Sequence, residues 1–181
     1  MLKISEEIFY PMIEKWLAET VSCCYVGIRK TIWGGQPDVL GIKFSKNGGL
    51  KADLHLVEVK IIESVNSAYN LIGEVETRIA QFKMQNSVFH TLYIYMAIFE
   101  QYKCEEIRDY VNHRGIGLLK FKDHKTIALS LERPPIPITS GKTITINHIK
   151  DETWITDKDE ARIFREAVKK IEWAKLRELI S

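Results

Sequence analysis

Two acidic side chains and a lysine stand at spacings that suit phosphate chemistry. Asp38 follows Pro37 at the start of a run of strand-forming residues, and Glu58-Val59-Lys60 lies toward the end of the next such run. Side chains alternate along a strand, so Glu58 and Lys60 share one face while Val59 points into the other layer. Between the runs stands Ser45-Lys46-Asn47-Gly48-Gly49, whose Asn-Gly-Gly is a strong hairpin signal. If the two runs pair through that turn, Asp38 comes to lie beside Glu58 and Lys60. Such a cluster suits a hard divalent cation. Mg²⁺ takes one or two carboxylates plus waters and substrate oxygens, polarises a phosphate and acidifies bound water. The lysine can hold or activate the attacking water. The same three residues also make a turn-flanking acid and a structural ion pair on a solvated strand face, a reading without chemistry.

The elements that must position these residues are legible from periodicity. Ser5 followed by Glu6 and Glu7 predicts a helix start. Ile4, Ile8, Phe9, Met12, Ile13, Trp16 and Leu17 continue it to about residue 19, with an irregularity expected at Pro11. Three strands are predicted at Cys24–Lys30, Asp38–Phe44 and Leu54–Ile61. Trp33-Gly34-Gly35 between the first two is either a loop over the site or simply a turn. A second helix, capped by Asn66 or Ser67, carries Ala68, Leu71, Ile72, Val75, Ile79 and Phe82 on one stripe. Thr91–Ile98 is a continuous β-type run, as expected of a strand covered on both faces. A helix near 102–113 closed by Gly115, a strand at Ile116–Phe121, and a further strand at Thr126–Leu131 follow. Pro134-Pro135-Ile136-Pro137 breaks regular structure, Thr143–Ile149 is a candidate edge strand, and a helix is predicted over Lys158–Ile180. The order implies an α/β domain with a mixed sheet flanked by helices, one domain over residues 1–181.

In these features the chain resembles the PD-(D/E)XK nuclease superfamily, whose restriction-endonuclease-like core runs helix, three strands, helix, strand, helix, strand. Pro37-Asp38 matches its Pro-Asp, and Glu58-Val59-Lys60 matches its Glu-x-Lys. The resemblance covers about residues 5–121; an extension over about 122–181 has no counterpart. It implies a metal-dependent nuclease acting on DNA rather than RNA, with Mg²⁺ or Mn²⁺ held by Asp38, Glu58 and the Val59 carbonyl, and Lys60 serving the water. Glu6 matches the acidic residue that the family often carries on its first helix, and Gln81 its helix glutamine. Where the family has a tyrosine four residues after that glutamine, this chain has Gln85. Glu6 serves equally as a favourable first-turn acid, and Gln81, on a polar stripe with Glu74, Arg78 and Gln85, as a solvent-facing residue. The alternative function is a non-catalytic nucleic-acid-binding or assembly subunit that keeps the fold.

The bulk properties narrow the partners little. A formal charge of +2 across 181 residues does not announce a nucleic-acid binder, although 26 basic side chains can be distributed unevenly. Cys23, Cys24 and Cys104 form neither a metal-ligand spacing nor a disulfide framework. Sparse cysteine, an acidic start and the lack of a membrane-length apolar run lead us to expect an intracellular, cytoplasmic protein without membrane contact. The five histidines read as scattered polar residues, and Asp53 and Glu63 as surface. On the last helix Ile163, Phe164, Ala167, Val168, Ile171 and Ala174 form a core stripe. Trp173, Leu176 and Ile180 lie off it, an apolar excess that suggests a partner or a homodimer.

Overall fold

A computed structural model describes residues 4–46, 49–85, 87–122, 128–140, 142–150 and 154–171. The chain enters through a 3-10 turn, Glu6–Phe9, capped by Ser5, which runs directly into helix α1, Tyr10–Glu19. Pro11 lies in the first turn of α1, where its missing N–H costs nothing. The expected irregularity is thus the junction of the two helical forms.

Strand β1, Tyr25–Ile28, pairs antiparallel with β2, Val39–Lys46, and β2 pairs antiparallel with β3, Leu50–Ile62. β3 is longer than its periodicity indicates, because residues 50–53 also pair with 43–46. Residues 47 and 48 of the hairpin turn lie outside the described residues. Helix α2, Val65–Met84, then carries the chain to β4, Thr91–Glu100, which runs parallel to β3. The cap of α2 is Ser64 rather than Asn66 or Ser67. Ser64 has extended backbone and accepts from the Ser67 amide, and Ser67 reaches back to the Ser64 amide, so the two serines satisfy each other. Helix α3, Glu105–Arg114, ends on Gly115 at φ 69°, a left-handed cap that glycine adopts without strain. β5, Gly117–Phe121, pairs parallel with β4, and β6, Leu129–Arg133, antiparallel with β5. Residues 126 and 127, the start of the strand expected at Thr126–Leu131, lie outside the described residues, as do 123–125 before them.

The short β7, Ile138–Thr139, adds to the beginning of β4, where β5 does not reach. The edge strand expected over Thr143–Ile149 is not formed. Ile144 makes a single bridge to Leu50, and Ile146–Lys150 turns into the short helix α4. The cause is local: Thr145 Oγ1 accepts from the His148 amide while His148 Nδ1 accepts from the Thr145 amide, a reciprocal cap that favours a helical turn over extension. Helix α5, Lys158–Lys170, starts on the Asp157 cap. The rest of the helix expected to reach Ile180, with Trp173, Ala174, Leu176 and Ile180, lies outside the described residues.

The result is an α/β fold with a mixed, open sheet in the order β1-β2-β3-β4-β5-β6, flanked by helices. On one face Phe9, Ile13 and Leu17 of the N-terminal helical segment cover Val39, Val57, Val59, Ile61 and Ala97. On the other, α2, α3 and α5 bury Leu71, Val75, Ile107, Ile163 and Phe164 against Leu40, Ile42, Leu54, Leu56 and Ile98. β4 is thus covered on both faces, as its unbroken apolar run implies. The C-terminal segment joins the same core through Phe164, whose ring meets Phe44 at 5.8 Å. No helix among the described residues is long and apolar enough to cross a membrane.

Candidate active site

The register Val39↔Val57 sets Asp38, the residue before β2, opposite Glu58. Its backbone N–H donates to Glu58 Oε2 at 3.4 Å, and its own carboxylate is tied on both oxygens. Asp38 Oδ2 accepts from the Val59 amide at 2.8 Å, and Oδ1 from the Tyr10 hydroxyl at 2.6 Å. The Tyr10 hydroxyl in turn accepts from Arg29 at 3.3 Å, and burial together with Asp38 holds its proton on well above the usual phenol range. Asp38 is therefore aimed by a tyrosine of the covering helix and by a backbone amide of the neighbouring strand.

Glu58 lies inside β3, four residues before its end, and is only 2 % exposed. Burial pushes its carboxyl up to about 7, against the opposing pull of the Arg78 guanidinium, whose Nε donates to Glu58 Oε1 at 2.5 Å. A carboxylate in that environment needs a positive charge beside it, and Arg78 from α2 supplies one. Arg78 also donates from Nη1 to Gln81 Oε1 at 3.2 Å.

Lys60 shares the Glu58 face of β3 and reaches between two acids, Glu74 at 3.5 Å and Glu6 at 3.6 Å. Burial lowers the proton affinity of its ammonium, but Glu74 and Glu6 outweigh burial and leave it raised. Lys60 is thus a cation at neutral pH. Glu6 Oε1 also faces the Ile61 amide at 3.5 Å, so the first-turn acid does come to the site, while Glu7 turns aside to Arg29 at 3.0 Å. Glu6, Arg29, Lys60 and Ser67 line an open depression of about 360 Å³ beside these groups.

Gln81 is half-buried and bound at both ends, to Arg78 and, through Nε2, to the Trp33 carbonyl at 3.3 Å. It serves the Trp33 turn rather than open solvent. That turn is not a loop standing over the site: Ile32 and Gly35 bridge each other, and Trp33, at φ 52°, buries its indole with Nε1 donating to Glu160 of α5. Gly35 has no room for a Cβ, because the Arg78 guanidinium packs on its Cα. Sequence reasoning overlooked Tyr10, Arg29, Glu74 and Arg78 as site residues. A signal existed for two of them, since Glu74 and Arg78 share the polar stripe of α2 with Gln81. For Tyr10 the pattern showed only a position on an apolar helix face.

A divalent cation would find two carboxylates, Asp38 and Glu58, and the Val59 backbone between them. Among the described residues no three His, Cys, Asp or Glu side chains group to hold a metal ion. The donor set is therefore a sparse one of hard oxygens, of the kind Mg²⁺ completes with water and phosphate oxygens. The Arg78 guanidinium already balances the charge of Glu58. Comparison with protein-family models, curated proteins and solved structures finds no match.

Proposed function

We propose that this chain is a metal-dependent nuclease of the PD-(D/E)XK type, with a restriction-endonuclease-like fold, that hydrolyses phosphodiester bonds in DNA with Mg²⁺ or Mn²⁺. One observation carries the reading: Asp38 and Glu58 face each other across the β2–β3 pair, with Lys60 two residues further along the same face. The metal, when bound, polarises the phosphate and acidifies a water. Asp38, held by Tyr10 and the Val59 amide, and Glu58, turned from Arg78, are the residues that bind it. Lys60, kept protonated by Glu74 and Glu6, holds the attacking water or a phosphate oxygen by charge rather than removing a proton. Glu6 orients Lys60, and Gln81 orients Arg78.

The Arg78–Glu58 ion pair favours a second reading, a non-catalytic nucleic-acid-binding or assembly subunit in which Arg78 replaces the metal for good. Supercoiled, linear and branched DNA incubated with Mg²⁺, Mn²⁺ or EDTA separates the two. The nuclease reading expects metal-dependent cutting that falls at least about a hundredfold in Asp38→Ala and Lys60→Ala, the scale of a lost electrostatic or acid–base group. Folded wild type that cuts none of these substrates with either metal decides for the second reading.

A further inference from the structure

The face of the sheet that carries α1 changes character halfway along β3. From Val57 onward the inward positions are Val57, Val59 and Ile61, all covered by the N-terminal helix. Before it they are Asp53 and His55, 7 % and 4 % exposed, although sequence reasoning read Asp53 as surface and His55 as a scattered polar residue. Parallel pairing sets Tyr93 beside His55 and Tyr95 beside Val57, and antiparallel pairing sets Lys43 beside Asp53. Among the described residues no apolar helix covers this end. Lys43, Ser45, Asp53, His55, Tyr93 and Tyr95 instead line a cavity of about 570 Å³, with Pro134 and Pro135 as its remaining wall beside Lys46. That volume is in the range of small-molecule sites.

Three features define what this cavity suits. His55 and Tyr93 stack on each other at 4.6 Å with planes 9° apart, so the buried His55 backs the half-buried Tyr93, whose other face is left to meet a flat ligand. Asp53 accepts from Ser45 Oγ at 3.0 Å and keeps acceptor capacity on its other oxygen. Lys43 and Lys46 bring two positive charges against the one of Asp53. His55 adds an unmet polar atom: Nδ1 lies 3.2 Å from the Tyr95 hydroxyl, and the buried Nε2 has no hydrogen-bond partner among the described residues. Whichever tautomer is present, Nε2 keeps a donor or an acceptor to offer. Burial and Lys43 hold the ring neutral, with its titration pushed down to about 3, so what it has to offer is a hydrogen bond and not a charge.

We propose that this cavity binds a nucleotide, with an amino-bearing base stacked on the Tyr93 ring and facing Asp53, and its phosphate against Lys43 and Lys46. Stacking on aromatic side chains and a lysine at the phosphate are the general means of holding such a group. The site is separate from Asp38 and Glu58, five residues or about 17 Å along β3 from Asp53 to Glu58 and on the opposite face. It stands whether or not the chain cleaves nucleic acid.

Calorimetric titration of the whole chain in EDTA tests it, with adenosine 5′-monophosphate, inosine 5′-monophosphate, adenosine, inorganic phosphate and a 5′-phosphorylated oligodeoxyadenylate. Adenosine monophosphate is expected to bind at least about tenfold tighter than adenosine, phosphate or the inosine nucleotide, which lacks the amino group. Tyr93→Ala should weaken it roughly tenfold, the scale of one lost base stack. Lys43→Ala should weaken the nucleotide but not the nucleoside, and Asp38→Ala should leave both unchanged. Tighter binding of the oligonucleotide identifies the ligand as a strand end, and equal binding as a free nucleotide. The proposal is overturned if adenosine monophosphate shows no saturation at concentrations on the order of 1 mM. It is equally overturned if phosphate alone binds as well, or if folded Tyr93→Ala and Lys43→Ala both bind like wild type.

Discussion

The Glu58 carboxyl is almost wholly buried, faces one cation at 2.5 Å, and holds its proton up to about 7. A carboxyl that binds its proton more tightly folded than unfolded adds stability that is fully present below about pH 4.5 and is lost as pH rises through about 7. Wild type should therefore lose roughly 2–3 kcal/mol relative to Glu58→Gln between those two pH values, measured by urea unfolding. Parallel pH curves for the two proteins would refute the burial argument. Arg78 gives a second check. With Glu58 ionised, Arg78→Met leaves a buried charge without its partner and should cost about 3 kcal/mol at pH 8.5. At pH 5.5 Glu58 carries its proton, and the cost should fall well below that. Proton and metal compete for the same oxygens, so Mn²⁺ affinity at the proposed site should rise with pH through about 7. A flat profile in calorimetry would remove Glu58 from the ligand set.

Elements bring these residues together through a few ties between layers. α2 presents Glu74, Arg78 and Gln81 to the sheet because Leu71, Val75 and Ile79 anchor its other side in the core. Ser64 is exposed and hydrogen-bonds neither Asp38 nor Glu58, so Ser64→Ala should cost about 1 kcal/mol in unfolding experiments without changing metal affinity. α5 acts on the site at one remove. Glu160, 1 % exposed, accepts from the Trp33 indole and from the Val88 amide at 3.1 Å, and the Trp33 carbonyl holds Gln81. Glu160→Ala leaves the buried Trp33 and Val88 donors unsatisfied and should destabilise the chain by about 2–4 kcal/mol, and the Trp33 indole proton should move upfield in NMR spectra on loss of its acceptor. An unshifted indole resonance would mean that the Trp33 turn holds itself in place.

Across the whole molecule, one apolar layer runs without a break from α2 to α5. Phe164 and Ile163 are fully buried in the same cluster as Leu54, Leu71 and Ile98, so α5 is not an appendage. Phe164→Ala should cost about 3–5 kcal/mol, and urea unfolding should remain one transition by both far-ultraviolet circular dichroism and fluorescence. Two separated transitions would show that residues 5–121 fold apart from the extension. The opposite layer is smaller and stops at Trp16 and Tyr95, whose rings meet edge to face at 5.3 Å. Beyond that boundary the sheet face is polar and aromatic. Among the described residues the proposed nucleotide cavity lies where no helix covers the sheet.

What the sequence determined by itself is what short-range rules govern. Alternation placed Glu58 and Lys60 on one face, and the Asn-Gly-Gly turn between two strand-forming runs set Asp38 opposite Glu58. Hairpin register depends on the turn and on the two strands alone. The stripe of α2 and the glycine stop of α3 were legible for the same reason, while a reciprocal cap as local as Thr145–His148 was readable and was overlooked. Only the tertiary structure decided which charge meets which. Arg78 on Glu58, Tyr10 on Asp38, Glu6 on Lys60 and Glu160 under Trp33 each join elements from different layers. Burial of Asp53 and His55 belongs to the same class, since a period-two pattern marks a face without saying what covers it. Those contacts follow from how helices pack across a sheet, where the angle and offset of every helix depend on all the side chains beneath it.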